Sequence, residues 1–275
     1  MEPFVKGEDA SILHLISWEN EVEGLTAGFT TRIGGQSEAP YEGLNCGLHV
    51  GDLDKNVVQN RESICEKIGF PFDAWTCADQ VHGNQVEIIT KKHRGSGNNS
   101  LDHCIEQTDG LITAEKNILL TSFYADCVPL FFLAPEERVI GIAHAGWKGT
   151  VANISQKMLD TLVSEYQTKI NTVKVAIGPS IGVCCYEVDE RVIDPFLKLW
   201  NASRLPEWIV PTHEKSGKFQ LDLKGANRYL LMERGIPANN ILVSHWCTSC
   251  HTDLFFSHRK EAGKTGRMTA FIGWR

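Results

Sequence analysis

The segment LLTSFYADCVPLFFLAP (119–135) decides the fold, because it joins two apolar runs through the short turn at 126–129. Each run has the length and composition of a buried β-strand. VIGIAHAGWKGT (139–150) follows as a third apolar run that ends in a glycine-containing loop. The residues after this loop predict one amphipathic helix, since apolar side chains recur at helical spacing. That apolar face consists of Val151, Ile154, Met158, Leu159 and Leu162.

Further strands and helices are predicted on both sides of this segment. The strands are 25–32, 85–89, the start of 173–182, and the late runs ILVSHWCTSC and MTAFIGWR. The helices are 56–69, 189–200 and 222–234, the first with Asp54 as a possible cap and Gly69 at its end. Strands and helices interleave without strict alternation. We therefore expect an α+β (mixed α/β) layered sandwich with mixed β-sheets, forming a single domain over 1–275.

The composition limits the classes of partner. Hydrophobic residues make up 42% of the 275 residues and charged residues 22%, which is typical of a globular protein with a real core. The net charge of -7 offers no basic surface for nucleic acid or an anionic membrane. The N-terminus does not have the pattern of a signal peptide. With nine cysteines and no export signal, we expect mostly reduced thiols and a cytoplasmic location.

Three segments each carry a ligand that zinc accepts: His82 in QVHGN, Cys127 in YADCVP and His144 in AHAGWKGT. Cys127 and His144 each follow an apolar run, where the end of a strand presents side chains to a cleft. One thiolate and two imidazoles form an open zinc site with a position left for water or substrate. Each residue also has a plainer interpretation, since a loop histidine is often a surface group and a free cysteine is often a small core residue.

Cationic and amide side chains suggest an anion site near the same segments. Lys148 lies in the loop before the predicted helix, where backbone N–H groups and a helix dipole would attract phosphate or an oxyanion. Arg32 ends a predicted strand before Gly34-Gly35 and suits a carboxylate or phosphate clamp. Asn45 and Arg259 are similar candidates for substrate binding.

A series of motifs resembles one family in its order along the chain: TTRIGGQS, LNCGLHVGD, NRESI, DQVHGNQV, TDGLIT, ADCVPLFF, AHAGWKGT, AIGPSIGVCCYEV and FFSHRKEAGKTGR. This is the YfiH-like or laccase-domain family, whose members are described both as polyphenol oxidases and as purine nucleoside phosphorylases. The matching segments span 30–275, and the pair ADCVP and HAGWKG is highly specific. The chain departs from the family pattern at Cys46, where an apolar residue is usual, and in its extra CTSCH motif.

The resemblance implies one zinc ion bound by His82, Cys127 and His144, with copper able to replace it in vitro. It implies phosphorolysis of adenosine, inosine and S-methyl-5'-thioadenosine, with adenosine deamination as a further activity, so the partners are purine nucleosides and phosphate. Arg32, Asn45 and Lys148 would line the pocket, with Arg259 as a looser candidate. We predict Cys127, His144 and Lys148 as the catalytic residues. The fold would be related to the cysteine-hydrolase-like domain of cytotoxic necrotizing factor.

Three other functions use the same residues. A copper-dependent polyphenol oxidase would fit a His-Cys-His set, but the four methionines lie outside the ligand segments and the ten histidines are scattered. A cysteine hydrolase would use Cys127 as nucleophile and His144 as base. A binding protein stabilised by zinc is disfavoured, because structural zinc usually has four protein ligands.

The remaining cysteine motif is CTSCH (247–251), which matches the attachment signature of c-type haem. Haem attachment requires export, and a zinc ribbon requires a second CxxC pair that the sequence lacks. We therefore expect Cys247 and Cys250 to carry neither haem nor the catalytic metal, and at most to form a reversible pair. For the adjacent Cys184 and Cys185 we expect buried packing.

Overall fold

The computed structural model describes residues 1–200, 205–212 and 217–275. The strands are β1 Val5–Lys6, β2 Ile12–His14, β3 Leu25–Thr30, β4 Trp75–Thr76, β5 Val86–Ile88, β6 Gly110–Thr113, β7 Leu119–Tyr124, β8 Val128–Ala134, β9 Val139–Ala145, β10 Lys174–Ile177, β11 Glu187–Asp189, β12 Ile209–Pro211, β13 Lys218–Leu221, β14 Ile241–Val243 and β15 Met268–Trp274. The helices are α1 Ile16–Glu21, α2 Asp54–Ile68, α3 Trp147–Val151, α4 Ile154–Tyr166, α5 Glu190–Trp200 and α6 Leu223–Glu233.

Two large mixed sheets form the centre of the molecule. The first has six strands in the order β1-β2-β3-β15-β7-β4, and the second has six in the order β14-β10-β8-β9-β6-β5. A smaller sheet has the order β11-β13-β12. Parallel pairs occur at β4/β7, β5/β6 and β10/β14, and the other pairs are antiparallel. The predicted mixed α/β architecture with mixed sheets is therefore confirmed.

The packing of side chains shows how the layers are stacked. β8 is buried on both faces, as its continuous apolar sequence requires. Phe131 and Leu133 pack with residues of β3 and β15, so one core fills the space between the two large sheets. Leu130 and Phe132 face the opposite way and pack with α4 and α6. Helix α2 covers the outer face of the first sheet, where a third core lies.

The turn between β7 and β8 changes sheets. The two apolar runs around it are strands, as predicted, but β7 belongs to the first sheet and β8 to the second. The residues of the turn therefore lie at the end of the core where the two large sheets separate. This placement brings Cys127 to an edge that both sheets share, which a hairpin within one sheet would not do.

Three predicted details are wrong. The helix predicted after the 146–149 loop is two helices, because Asn153 has a left-handed backbone (φ 57°) and its side chain accepts a hydrogen bond from the N–H of Gln156, which starts α4 anew. Asp54 is the first residue of α2 and does not cap it, although Gly69 ends this helix in the left-handed conformation as predicted. The late strand at ILVSHWCTSC is only Ile241–Val243.

None of the helices in the described part of the chain has both the length and the apolar character needed to cross a membrane.

Candidate active site

Three side chains from separate segments meet at the end of the two sheets. His82, Cys127 and His144 each offer a ligand atom, and these atoms lie within 4.8 Å of one another. His144 is on β9 directly opposite Pro129 of β8, so the antiparallel ladder places it beside the turn that carries Cys127. The two imidazole rings lie edge to face, with centroids 4.7 Å apart. The structure thus brings together the three residues that the sequence predicts as metal ligands.

Asp109 holds two of these three ligands in position. Its carboxylate accepts hydrogen bonds from the backbone N–H groups of Val81, His82 and Gly83 at 3.2, 3.0 and 2.7 Å. The same carboxylate accepts a 2.8 Å bond from Nδ1 of His144. These bonds stabilise the left-handed backbone of His82 (φ 61°) and leave Nε2 of His144 as the ring nitrogen that faces Cys127. In metal sites, a ligating histidine usually donates its other ring N–H to a carboxylate in this way.

Gly146 allows the three ligands to approach each other. A Cβ atom at this position would lie 3.0 Å from Sγ of Cys127 and 3.2 Å from the ring of His82. Any side chain larger than hydrogen would therefore push the thiol or the imidazole out of the cluster.

The cluster has the electrostatics of a thiolate beside a protonated imidazole. Burial alone would raise the pKa of the Cys127 thiol, but the charge of His144 and hydrogen bonds to both imidazoles lower this pKa to about 6. Burial alone would lower the pKa of His144, but the Cys127 thiolate and the Asp109 carboxylate raise this pKa to about 9. A deprotonated thiolate is the form that binds metal or attacks as a nucleophile.

The cluster forms part of the wall of a cleft of about 590 Å³, a volume suited to a small metabolite. Aromatic rings, two guanidinium groups, two further imidazoles and two carboxylates also line it. These residues are Phe123, Trp147, Tyr186, Arg259, Arg267, His49, His258, Asp79 and Asp126.

Asp126 positions the loop that carries Arg259. Its carboxylate is buried and accepts hydrogen bonds from the hydroxyls of Thr248 and Ser257 and from the backbone N–H of Arg259. The guanidinium of Arg259 donates to the carbonyl of Glu187 at 2.8 Å and lies over the ring of Tyr186. Because three donors already engage the Asp126 carboxylate, its role in this structure is to organise the cleft wall.

The four residues predicted to bind substrate lie in different surroundings. Arg259 lines the cleft. Arg32 lines another cleft, where its guanidinium pairs with Glu261 at 2.9 Å and stacks on Phe256. Asn45 is fully buried, and its side-chain oxygen accepts the backbone N–H of Arg267 at 2.8 Å. Lys148 is exposed, with its ammonium near the ring of Trp147. Substrate contacts by Arg32, Asn45 and Lys148 stay predictions.

Sequence reasoning did not select Asp109 and Arg267 as site residues. Both lie in motifs that carry the family resemblance, TDGLIT and GKTGR, beside the strands β6 and β15. A carboxylate directly before an apolar strand was the available signal for Asp109. The signal for Arg267 was weaker, because a cation at the start of a strand is usually a solvated charge.

A second group of potential ligands lies outside this cluster. Cys184, Cys185, Cys247 and Cys250 bring their sulfur atoms within 4.8 Å of one another. The expectation of buried packing for the vicinal pair is wrong, because Cys184 is exposed and Cys185 is only partly buried. CTSC does have a partner pair, which is Cys184-Cys185 and not a second CxxC motif. The sequence does not show this proximity, because 61 residues separate Cys185 from Cys247.

Residues 26–275 match the family described as multi-copper polyphenol oxidoreductase laccase, and the chain belongs to this family. Two relatives are named purine nucleoside phosphorylase YlmD. The one from Geobacillus stearothermophilus is 45% identical over 92% of this chain and 91% of its own length. The one from Bacillus subtilis is 43% identical over 91% of this chain and 89% of its own length.

Solved structures show the same fold. The crystal structure of YlmD from Geobacillus stearothermophilus superimposes with a TM-score of 0.94 at 41% identity, over all of both chains. The hypothetical protein YfiH from Bacillus licheniformis gives a TM-score of 0.94 at 40% identity, again over all of both chains. The predicted family is therefore confirmed, and these neighbours share the mixed α/β architecture.

Proposed function

We propose that this protein is a zinc-dependent purine nucleoside phosphorylase acting on adenosine, inosine and S-methyl-5'-thioadenosine, with adenosine deaminase as a second activity. The observation that carries the proposal is the cluster of His82, Cys127 and His144 in a cleft that also presents two guanidinium groups. The names of the relatives from Geobacillus stearothermophilus and Bacillus subtilis support the phosphorylase activity.

The donor set suits zinc. Two imidazoles and a thiolate are borderline and soft ligands, and the Asp109 carboxylate behind His144 increases the basicity of that ring. His82, Cys127 and His144 would hold the ion with one coordination position open to the cleft. Zinc bound there would act as a Lewis acid toward an oxygen or nitrogen of the substrate. The relation to cytotoxic necrotizing factor and the single-domain assignment remain parts of this proposal.

The cleft residues suit phosphorolysis. Cleavage of the bond between ribose and base builds positive charge on the sugar, and phosphate must be held beside that carbon. Arg259 and Arg267 provide guanidinium groups in the cleft. The paired N–H donors of a guanidinium match two oxygens of a phosphate, so these two residues would hold the anion. Phe123, Trp147 and Tyr186 offer aromatic faces for a planar purine. Catalysis would come from positioning and from fixed charges in a partly enclosed cleft.

The decisive experiment is product analysis with adenosine in the presence and absence of phosphate. We expect adenine and ribose 1-phosphate when phosphate is present, and inosine as the product of the deaminase activity. Chelator-treated protein should lose both activities and regain them on addition of zinc. If neither adenine nor inosine forms with zinc-loaded protein, the proposed function is wrong.

A cysteine hydrolase is the second candidate, and one geometric observation favours it. Cys127, His144 and Asp109 form a chain of nucleophile, base and orienting carboxylate, with 2.8 Å between His144 and Asp109. The two functions make opposite predictions about metal. A hydrolase would keep its activity in zinc-free protein and lose it on alkylation of Cys127, whereas the phosphorylase would lose its activity with the zinc.

We expect Arg259→Ala to raise the KM for phosphate roughly 10- to 100-fold, because a charge-assisted hydrogen bond to an anion contributes roughly 1.5–3 kcal/mol. The KM for adenosine should change much less. Arg191→Ala is the matched control, since Arg191 is an exposed arginine paired with Asp189 outside the cleft. Lys148→Ala and Arg32→Ala, measured in the same way, test the two cations that the sequence favoured. An unchanged KM for phosphate in Arg259→Ala would remove this residue from the anion site.

A further inference from the structure

Four cysteines from two distant segments form a compact group, which we call the four-cysteine cluster: Cys184, Cys185, Cys247 and Cys250. Sγ of Cys250 lies 3.5 Å from that of Cys184 and 3.4 Å from that of Cys185, and all four sulfurs are within 4.8 Å of one another. All four are free cysteines. None of them lines the cleft, so the cluster is separate from the site described above.

These separations match a tetrahedral metal site. Four sulfurs bound at about 2.3 Å from one zinc ion are about 3.8 Å from each other. A disulfide would bring two sulfurs to about 2.05 Å and leave the other pair apart. A multinuclear iron–sulfur cluster has several irons and inorganic sulfides inside its cysteine cage and requires a wider arrangement. The observed spacing therefore favours a single ion.

The backbone around the cluster holds the sulfurs without help from an ion. The N–H of Gly182 donates to Sγ of Cys247 at 3.2 Å, a contact that favours a thiolate. The N–H of Thr248 donates to the carbonyl of Ser180 at 3.1 Å, which ties the CTSC turn to the GPSIG loop. Two independent turns are thus fixed against each other, and their cysteines face the same point.

A buried cation lies next to the cluster. Lys224 on α6 is 8% exposed, and its ammonium donates to the carbonyls of Ser244 and Trp246 at 2.8 and 3.0 Å. Trp246 directly precedes Cys247, so this hydrogen bond places the ammonium one residue from a cysteine of the cluster. Four thiolates around a divalent ion carry a net charge of about −2, so a nearby ammonium offsets the cost of placing that charge in the protein.

We propose that Cys184, Cys185, Cys247 and Cys250 bind one zinc ion as a closed structural site. Four protein ligands leave no position for substrate, so this ion stabilises the fold and performs no chemistry. It links the GPSIG loop to the C-terminal segment at the wall of the cleft. Arg259 donates to the carbonyls of Cys185 and Glu187, and Thr248 donates to Asp126 at 2.6 Å, so the same link supports the position of Arg259.

The first test leaves the cluster intact. In Cys127→Ala the proposed cleft ligand is missing, so zinc that stays bound reports on the four-cysteine cluster. We expect one zinc per chain, with X-ray absorption showing four sulfur neighbours at about 2.3 Å. Zinc-free protein, iron in place of zinc, or disulfides among these cysteines in the protein purified under reducing conditions would each overturn the proposal. A failure of the proposed phosphorylase function would leave this measurement unaffected.

The second test removes two ligands. We expect Cys247→Ser with Cys250→Ser to lose one zinc per chain relative to the wild type and to lower the Tm by at least about 5 °C. Cys104→Ser is the matched control, because Cys104 is a partly buried free cysteine outside both groups, and it should keep the zinc content of the wild type. Full zinc content in the double variant would contradict the proposal. If that double variant does not fold, the X-ray absorption spectrum of Cys127→Ala still tests whether the four cysteines bind zinc.

Discussion

Replacement of Cys127 by Ala is expected to lower kcat/KM for adenosine phosphorolysis on the order of 10³-fold, because it removes a proposed metal ligand and the charge that the metal would provide. The zinc content should fall by one per chain. Cys127 is partly exposed in the turn between β7 and β8, so the core between the sheets should stay intact. Steady-state kinetics, metal analysis and thermal unfolding of the same preparation measure these effects.

Cys104→Ala provides the control for this variant, since it also removes a partly buried free thiol. It should retain the zinc content and the activity of the wild type. A Cys127→Ala protein with normal zinc and normal turnover would show that the cluster of His82, Cys127 and His144 is not the catalytic centre. Loss of activity with normal zinc would instead favour Cys127 as a nucleophile.

Asp109→Asn is expected to have the next largest effect, on both metal affinity and stability. The carboxylate accepts three backbone N–H groups and His144, and it is fully buried. An amide has the same shape, but its NH₂ group would face N–H donors and could not accept their hydrogen bonds. Buried donors would then be left unpaired, at a cost of roughly 3 kcal/mol. Loss of the carboxylate behind a metal-bound histidine also weakens metal binding by roughly 10–100-fold. Zinc titration and denaturant unfolding measure the two effects separately.

Asp194→Asn is the matched control, because it makes the same chemical change at an exposed position of α5. It should leave zinc affinity and stability close to those of the wild type. If Asp109→Asn bound zinc normally but unfolded more easily, Asp109 would only be a structural support for the 81–83 loop. If both properties were normal, the proposed role of Asp109 would be wrong.

The sequence gives different amounts of information about the two groups of candidate metal ligands. His82, Cys127 and His144 lie beside apolar runs or in specific motifs, so their residue types and positions identified them before their proximity was visible. Cys184 and Cys185 lacked such a context, and the CTSC motif had no visible partner. Their meeting depends on the parallel pairing of β10 with β14, which places the loops after these strands at the same edge.

The sequence was also a limited guide to the residues that bind substrate. The sequence favoured Arg32 because it ends a strand before two glycines, but its guanidinium pairs with Glu261 and lines another cleft. Arg267 lines the same cleft as His82, Cys127 and His144, but it was not among the predicted residues, although Asn45 was. The buried amide of Asn45 acts on the backbone of Arg267. The charge of a side chain and its position in a motif do not show which residue it pairs with in the folded protein.

By itself, the sequence determined the secondary structure of the long apolar runs, the mixed α/β class, the family and the three candidate ligands. These follow from local periodicity, residue chemistry and motif order, which can all be read from the amino-acid sequence. Only the tertiary structure decided that the turn at Cys127 crosses between sheets, that Asp109 supports two ligands, and that four cysteines converge. These features depend on contacts between residues far apart in the chain. The burial of the apolar faces of both sheets determines those contacts, and local conformational preferences do not.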